Sequence, residues 1–553
     1  MLSELQFQVL WRRLIGVADE ASAVLVRGSF SPAVTDMKDF AVTLHDADGN
    51  MIAQSRDTGT ISILTALIRG VPKVLRTFPT ETMRPGDAFA SNDPWLFAGH
   101  KHDVVVVSPL FRRGKLIAFA ACGLHVADIG GLGLSANGSD VYEEGLEIPL
   151  MRIVSAGVPD QTLLALVRAN VREAASVLGD ILGQVEVTQG VEARLNQMLD
   201  EYDLDDIADV AARIVSDSEA AMRSAIRRLP DGEYRASTQM DGMDEPVRIE
   251  VTVRVHDSDF LIDFTGTDPQ LPYAMNCPLS VTYAWAAHTV RTALAPDVPN
   301  NEGCYRPTHV SSPPGTVVNP SRPAPVAARH MVQNALAGVL ARALSTPIPH
   351  RVVAESGQQS IMVVRGVDGD GSPFSFWWNM AGGMGGARGM DGLSGKSFPL
   401  SLPTIPVEVM ERAAPIRVLA KRLVADSCGP GAFQGGLNQE IEFTVESGDR
   451  FTVTPLIERQ RHAARGLFGG LAGATGSFLV DGAPAHGKRP VSVPRGGVVS
   501  ASGGGGGGYG DPSERDVDRV VSDHADGLIS RDFVARWYPH ALDQIPTPME
   551  ERR

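Results

Sequence analysis

Two apolar runs joined by a short polar link set the first constraint on this chain. "DVVVVSPLF" starts at Asp103, "RRGK" follows it, and "KLIAFAACGLH" runs on to His125. Each run has the length of a strand, and Gly114 in the link can take the positive φ that a tight turn needs. Strands joined this way pair antiparallel. Pairing about Arg112–Gly114 sets His100 and His102 opposite His125 to within a residue or two, at about 3.3 Å per residue along each strand. His100, His102, Asp103 and His125 therefore gather at the open end of one hairpin, and Asp128 of "HVADIGG" follows one short step later. Cys122 points into the hairpin and reads as core.

Two imidazoles and a carboxylate on the end of a hairpin suit a divalent metal such as Mn, Zn or Fe, with positions left for water or substrate. The plainer reading is a polar loop entering a buried strand. On the metal reading His100, Asp103 and His125 are the ligands, and Asp128 is a partner for a ligand histidine or a base. The place of His102 is open: a fourth ligand, a substrate contact, or a side chain turned the other way, which strand alternation favours.

The remaining sequence points to a large mixed α+β protein of more than one domain. Its 553 residues exceed what one core usually covers. Apolar residues make up 43% and charged residues 21%, as in globular chains, and the net charge of −15 argues against nucleic acid or an anionic membrane surface as partner. No charge-free apolar run is long enough to span a bilayer, and the first residues lack the pattern of a signal peptide. Cys122, Cys277, Cys304 and Cys428 form no CxxC and suit a reducing cytoplasm.

Apolar spacing predicts an amphipathic helix over 3–26, with Leu5, Val9, Leu10, Leu14, Val17, Ala21 and Val24 on its apolar positions, and a hairpin over "FAVTLHDADGNMIAQ". Helices are expected at 60–78, 279–296 and 325–345, and a long helical segment at about 160–228 that Pro230-Asp231-Gly232 ends. "VRIEVTVRVHDSDFLIDFTG" alternates as a second hairpin. The change of period places a soft domain boundary near 230, giving an N-terminal region 1–230 with the hairpin and helices and a β/α region 231–553, unless the two interweave. The late region is rich in glycine and proline, and its glycine run at 503–508 reads as a flexible or tight turn. Neither a GxxxxGK[ST] phosphate loop nor a GxSxG elbow is present.

Other polar residues are candidates for a pocket. Asn300 and Glu302 in "VPNNEGC" follow a predicted helix, with turn capping as the plainer reading. Arg329 stands at a predicted helix start and suits a carboxylate or phosphate, with a structural ion pair as the plainer reading.

Several ordered stretches carry a resemblance. "LVRGSFSPAVTDMKDFAVTLHDADGNMIAQ", "SNDPWLFAGHKHDVVVVSP", "HVADIGG", "YEEGLEIP", "IDFTGTDPQ", "VPNNEGCYRP", "DSCGPGAFQGGLNQE" and "GGGGGGYGDPSERD" resemble, in order, signatures of the hydantoinase B/oxoprolinase family along almost the whole chain. The resemblance implies the catalytic subunit of an ATP-dependent hydrolase of cyclic amides of the hydantoin, 5-oxoproline or lactam class. It also implies a partner, a hydantoinase A-like subunit that binds the ATP, in an α2β2-type hetero-oligomer. In the related ketone carboxylases, acting on acetone or acetophenone, a metal is held by a His-x-x-Asp pair and a later His. Carried across, these are His100, Asp103 and His125. A carboxylase subunit is the second reading and a non-catalytic scaffold the third. Asp39, in the first of these stretches, joins Asp128 as a candidate catalytic carboxylate, and Asn92, Asp93, His102, Asn300, Glu302 and Arg329 are candidate substrate contacts. Phe97-Ala98-Gly99 before His100, and His102 before Asp103, depart from the family pattern near the expected pocket.

Overall fold

A computed structural model describes residues 3–57, 60–400 and 402–546. The fold is mixed α+β with four sheets among the described residues. The chain forms two compact units, and it crosses between them more than once. The first takes Met1–Arg235, Glu250–Leu336 and Leu402–Ile405, and the second takes Ala236–Ile249, Ala337–Ser401 and Pro406–Arg553. The first crossing, at Arg235/Ala236, lies close to the boundary expected near 230, but the later returns make the units interwoven in sequence.

The first unit is built on a seven-stranded sheet. Its strands are β1 (Phe40–Asp46), β2 (Met51–Gln54), β3 (Ala88–Ser91), β4 (Asp103–Arg112), β5 (Lys115–His125), β6 (Met151–Ser155) and β7 (Val158–Pro159), in the order β2-β1-β5-β4-β3-β6-β7. The predicted hairpin is β4–β5 at its centre. Asp103 pairs with His125 and Arg112 with Lys115, and a bulge between Leu110 and Phe111 shifts the register on the way.

The four consecutive valines are explained by helices on both faces of this sheet. Val104 and Val106 join Cys122 and Leu124 in one core with the helices Glu4–Gly28, Ala174–Glu201 and Ala208–Ile226. Val105 and Val107 join Phe119 and Ala121 in a second core with the helices Ile61–Thr77 and Leu279–Leu294. A strand buried on both sides loses the apolar–polar alternation of a surface strand. The predicted N-terminal helix forms as Glu4–Gly28, with Phe7, Leu10, Trp11, Leu14, Val17, Ala18, Ala21 and Leu25 buried, while Leu5, Val9 and Val24 face outward. The segment expected to be helical at 160–228 forms three helices, Gln161–Asn170, Ala174–Glu201 and Ala208–Ile226.

The second unit contains the sheet of Pro373–Ala381, Gln359–Val367, Arg450–Leu456 and Val491–Pro494, and another of five strands centred on Val499–Ser502. The glycine run after Ser502 differs from the turn expected. Gly503–Gly508 is buried, lies outside any strand or helix, and bonds in succession to glycine-rich stretches around it. Gly383 N donates to Gly504 O at 3.0 Å, Gly429 N to Gly506 O at 2.8 Å, and Gly506 N to Gly436 O at 3.0 Å. A β-carbon on Gly506 or Gly435 would overlap the neighbouring backbone, so only glycine lets these chains approach.

Candidate metal centre

The strand pair delivers Asp103 and His125 directly opposite one another, and His100 enters from the turn before β4. One ligand atom from each of His100, Asp103 and His125 lies within 4.8 Å of the others, and all three residues are buried. A single oxygen, Asp103 Oδ1, stands 2.9 Å from His100 Nε2 and 3.1 Å from His125 Nδ1. The other oxygen, Oδ2, accepts from the Arg329 guanidinium at 2.6 Å.

The protonation of His100 shows what this arrangement suits. Its Nδ1 lies 3.0 Å from the Ala327 carbonyl, which can only accept, so Nδ1 carries the proton. Burial, with Arg329 adding to it, lowers the imidazole to about 4, so the ring is neutral and Nε2 presents a lone pair. That lone pair faces a carboxylate oxygen at 2.9 Å, and Nε2 makes no hydrogen bond there. Two buried acceptors pointed at one another are unfavourable, and a cation between them removes the conflict. Burial opposes ionisation of Asp103, but the charge and hydrogen bond of the Arg329 guanidinium and the hydrogen bond with His125 hold it well below the usual carboxylate range. An anionic carboxylate, a neutral imidazole and an outer N–H bonded to a carbonyl are the features of a metal-ligand set. The residues present therefore fit a divalent ion.

Two further candidates are drawn into this cluster. Asp39 precedes β1; its carbonyl accepts from His125 N at 3.0 Å, and its Oδ2 lies 3.9 Å from His125 Nδ1. Burial raises the Asp39 carboxyl to about 6, against the opposing charges of His125 and Arg329. His102 does not turn away as alternation suggests, because the extended strand begins only at Asp103 and residues before it form turns. Its ring stacks on His125 with centroids 5.0 Å apart and 14° between the planes.

The remaining candidates stand elsewhere. Both oxygens of Asp128 are engaged by Arg172, one by the guanidinium at 2.8 Å and one by the backbone N–H at 2.5 Å, so the structure ties Asp128 to Arg172 rather than to a ligand histidine. Asn92 donates to Lys101 O at 2.7 Å and Leu146 O at 3.0 Å and accepts from Ile148 N at 2.6 Å, which commits its amide to backbone. Asp93 caps the turn at Trp95 N and pairs with Arg322 at 2.6 Å. Asn300 bonds Gln54 and Tyr305. Burial raises Glu302 to about 7, and the charges it meets are Arg306, Arg69, Asp46 and Glu219 rather than the histidines.

Sequence reasoning missed His330 and Glu144. His330 follows Arg329, is buried, and has neither ring nitrogen hydrogen-bonded; its neutral form is favoured by burial and by Arg329. Glu144 sits in "YEEGLEIP", a stretch that carried resemblance but no reason to pick one residue. Gly99 matters locally: its φ is +86°, and a β-carbon there would meet Val281 and stand 2.6 Å from Arg329 Cδ.

The profile of the hydantoinase B/oxoprolinase family matches residues 3–512. A protein provisionally named as one component of a D-/L-hydantoinase, from Pseudomonas sp. (strain NS671), is 30% identical over 95% of this chain and 93% of its own length. The caprolactamase beta chain of Pseudomonas jessenii is 28% identical over 95% of this chain and 94% of its own. The fold is similar to that of the ATP-dependent caprolactamase crystal structure from Pseudomonas jessenii, with TM-score 0.88 at 24% identity over 97% of this chain and 96% of that one. It is also similar to that of nucleotide-free acetone carboxylase, with TM-score 0.85 at 18% identity over 96% and 79%.

Proposed function

Since this chain belongs to the hydantoinase B/oxoprolinase family, we propose that it is the catalytic subunit of an ATP-dependent hydrolase of cyclic amides of the hydantoin, 5-oxoproline or lactam class. Its partner in this reading is a hydantoinase A-like subunit that binds ATP and activates the substrate. Relatives that are themselves named as single components of a hydantoinase and a caprolactamase support a partnered assembly, and an α2β2-type arrangement is the simplest form of it.

The observation that carries the reading is the buried pairing of a neutral His100 Nε2 with the Asp103 carboxylate, completed by His125. These three residues would hold a divalent ion, Mn, Zn or Fe, which would supply Lewis acidity toward a carbonyl or water. The chain's own groups do the rest. Arg329 fixes Asp103 through Oδ2 and keeps it ionised. Asp39, raised to about 6 by burial, holds or releases a proton at its carboxyl close to neutral pH. His102, stacked on His125, limits that ring's rotation.

Co-purified with a hydantoinase A-type subunit, the chain should open 5-oxoproline, hydantoin or caprolactam with ATP and without bicarbonate. The likeness in fold to acetone carboxylase supports a second reading, a ketone carboxylase subunit. Strict bicarbonate dependence with a ketone substrate would establish that reading and sink the first. His125→Ala should remove both bound metal and coupled turnover; if both persist, the metal centre is wrong and the chain serves as a scaffold.

A further inference from the structure

The outer contacts of the centre come from one loop, 323–329. Ala327 supplies the carbonyl that orients His100, and Arg329 supplies the guanidinium that holds Asp103. What fixes this loop is a buried carboxyl group from a distant stretch. Glu144 Oε1 accepts from Val326 N and, at 2.8 Å, from Ala327 N. Val141 N donates to Pro323 O at 2.9 Å, so the same stretch grips the loop at both ends.

Residues 141–148 also hold the loop that delivers His100 and Asp103. Lys101 Nζ donates to Gly145 O at 2.8 Å, and Asn92 bonds Leu146 and Ile148. One short segment therefore touches the ligand loop on one side and the loop of Ala327 and Arg329 on the other. We propose that Glu144 is the positioning residue of the centre, setting the direction of the Ala327 carbonyl and the reach of Arg329 by holding the amides of Val326 and Ala327. The proposal rests on the metal reading above. Hydrogen-bonding partners outside the ligand shell set ligand orientation, and their loss typically weakens metal binding by about 10- to 100-fold.

The test is calorimetric titration of the metal-free full-length chain with Mn2+, with thermal unfolding of each metal-free variant alongside. Glu144→Ala removes the acceptor and should weaken Mn2+ binding by about tenfold or more. Glu144→Gln keeps an oxygen for the two amides and should stay within about threefold of the parent chain, a rescue that loss of general packing would not show. If Glu144→Ala does not fold, Glu144→Asp, which draws the carboxylate back by one methylene, takes its place with the same expectation. The proposal is overturned if the Ala or Asp variant binds within about threefold of the parent, or if Gln loses as much as Ala. A parent chain that binds neither Mn2+, Zn2+ nor Fe2+ overturns the metal reading itself, which separates the two failures.

Discussion

Arg329 reaches across 226 residues of sequence to donate to Asp103 Oδ2 at 2.6 Å, and both side chains are buried. This ion pair is what keeps a carboxylate charged beside two buried imidazoles. Removing one partner of such a pair leaves an uncompensated charge. Arg329→Met should therefore destabilise the metal-free chain by about 3–5 kcal/mol, read by chemical denaturation. Saturating Mn2+ should recover part of the loss by replacing the missing positive charge. Equal stability of variant and parent without metal would show that Asp103 is neutral.

Gly99 is required twice, by its φ of +86° and by the approach of Arg329. Gly99→Ala should cost about 1–3 kcal/mol in backbone strain and push Arg329 away from Asp103. A fall in thermal stability together with reduced metal content is the expected result; a fall in stability with full metal content would show that Arg329 tolerates the displacement.

Burial raises the Glu144 carboxyl to about 8, above its usual 4.5, against the two backbone amides it accepts from. The folded chain thus keeps a proton that the unfolded chain has lost, and ionisation removes stability as pH rises from about 4.5 to about 8. Glu144→Gln lacks this cost. The stability of the variant relative to the parent should rise through that window by up to about 1.4 kcal/mol per pH unit and stay level above it. Denaturation of metal-free protein at about pH 5, 7 and 9 checks the sign; a difference independent of pH would place the carboxyl in its ordinary range.

Asp128 is bound at both oxygens by Arg172. Asp128→Asn should leave coupled turnover within about threefold while lowering stability, which separates a structural ion pair from a catalytic base. The guanidinium is partly exposed, so Arg172→Met should cost only about 1–3 kcal/mol, and the double variant should cost less than the two single changes together. A large loss of turnover in Asp128→Asn at unchanged metal content would restore Asp128 to the chemistry.

The hairpin and the three residues gathered at its open end were legible because they are local. Two apolar runs and a glycine turn force β4 and β5 together, and residues at the open end must meet whatever the rest of the chain does. The fine register was not legible: the bulge at Leu110/Phe111 alters the pairing, so Asp103 itself faces His125. His102 was misjudged by alternation because the chain before Asp103 turns instead of running extended. The glycine run at 503–508 read as a turn because a row of glycines carries no sign of the chains that will pack around it.

The residues that complete the centre illustrate the remaining division. His100, Asp103 and His125 lie within twenty-five positions of one another, and periodicity and spacing suffice to place them together. Arg329, the Ala327 carbonyl and Glu144 come from remote loops, and a backbone carbonyl has no side-chain signature at all. Burial then sets the chemistry. It makes His100 neutral, raises Asp39 to about 6 and leaves Asp128 with Arg172, and each outcome depends on which charges the packed chain brings within a few ångströms. Short-range spacing gathered His100, Asp103 and His125, and long-range packing chose their protonation, their orientation and their partners.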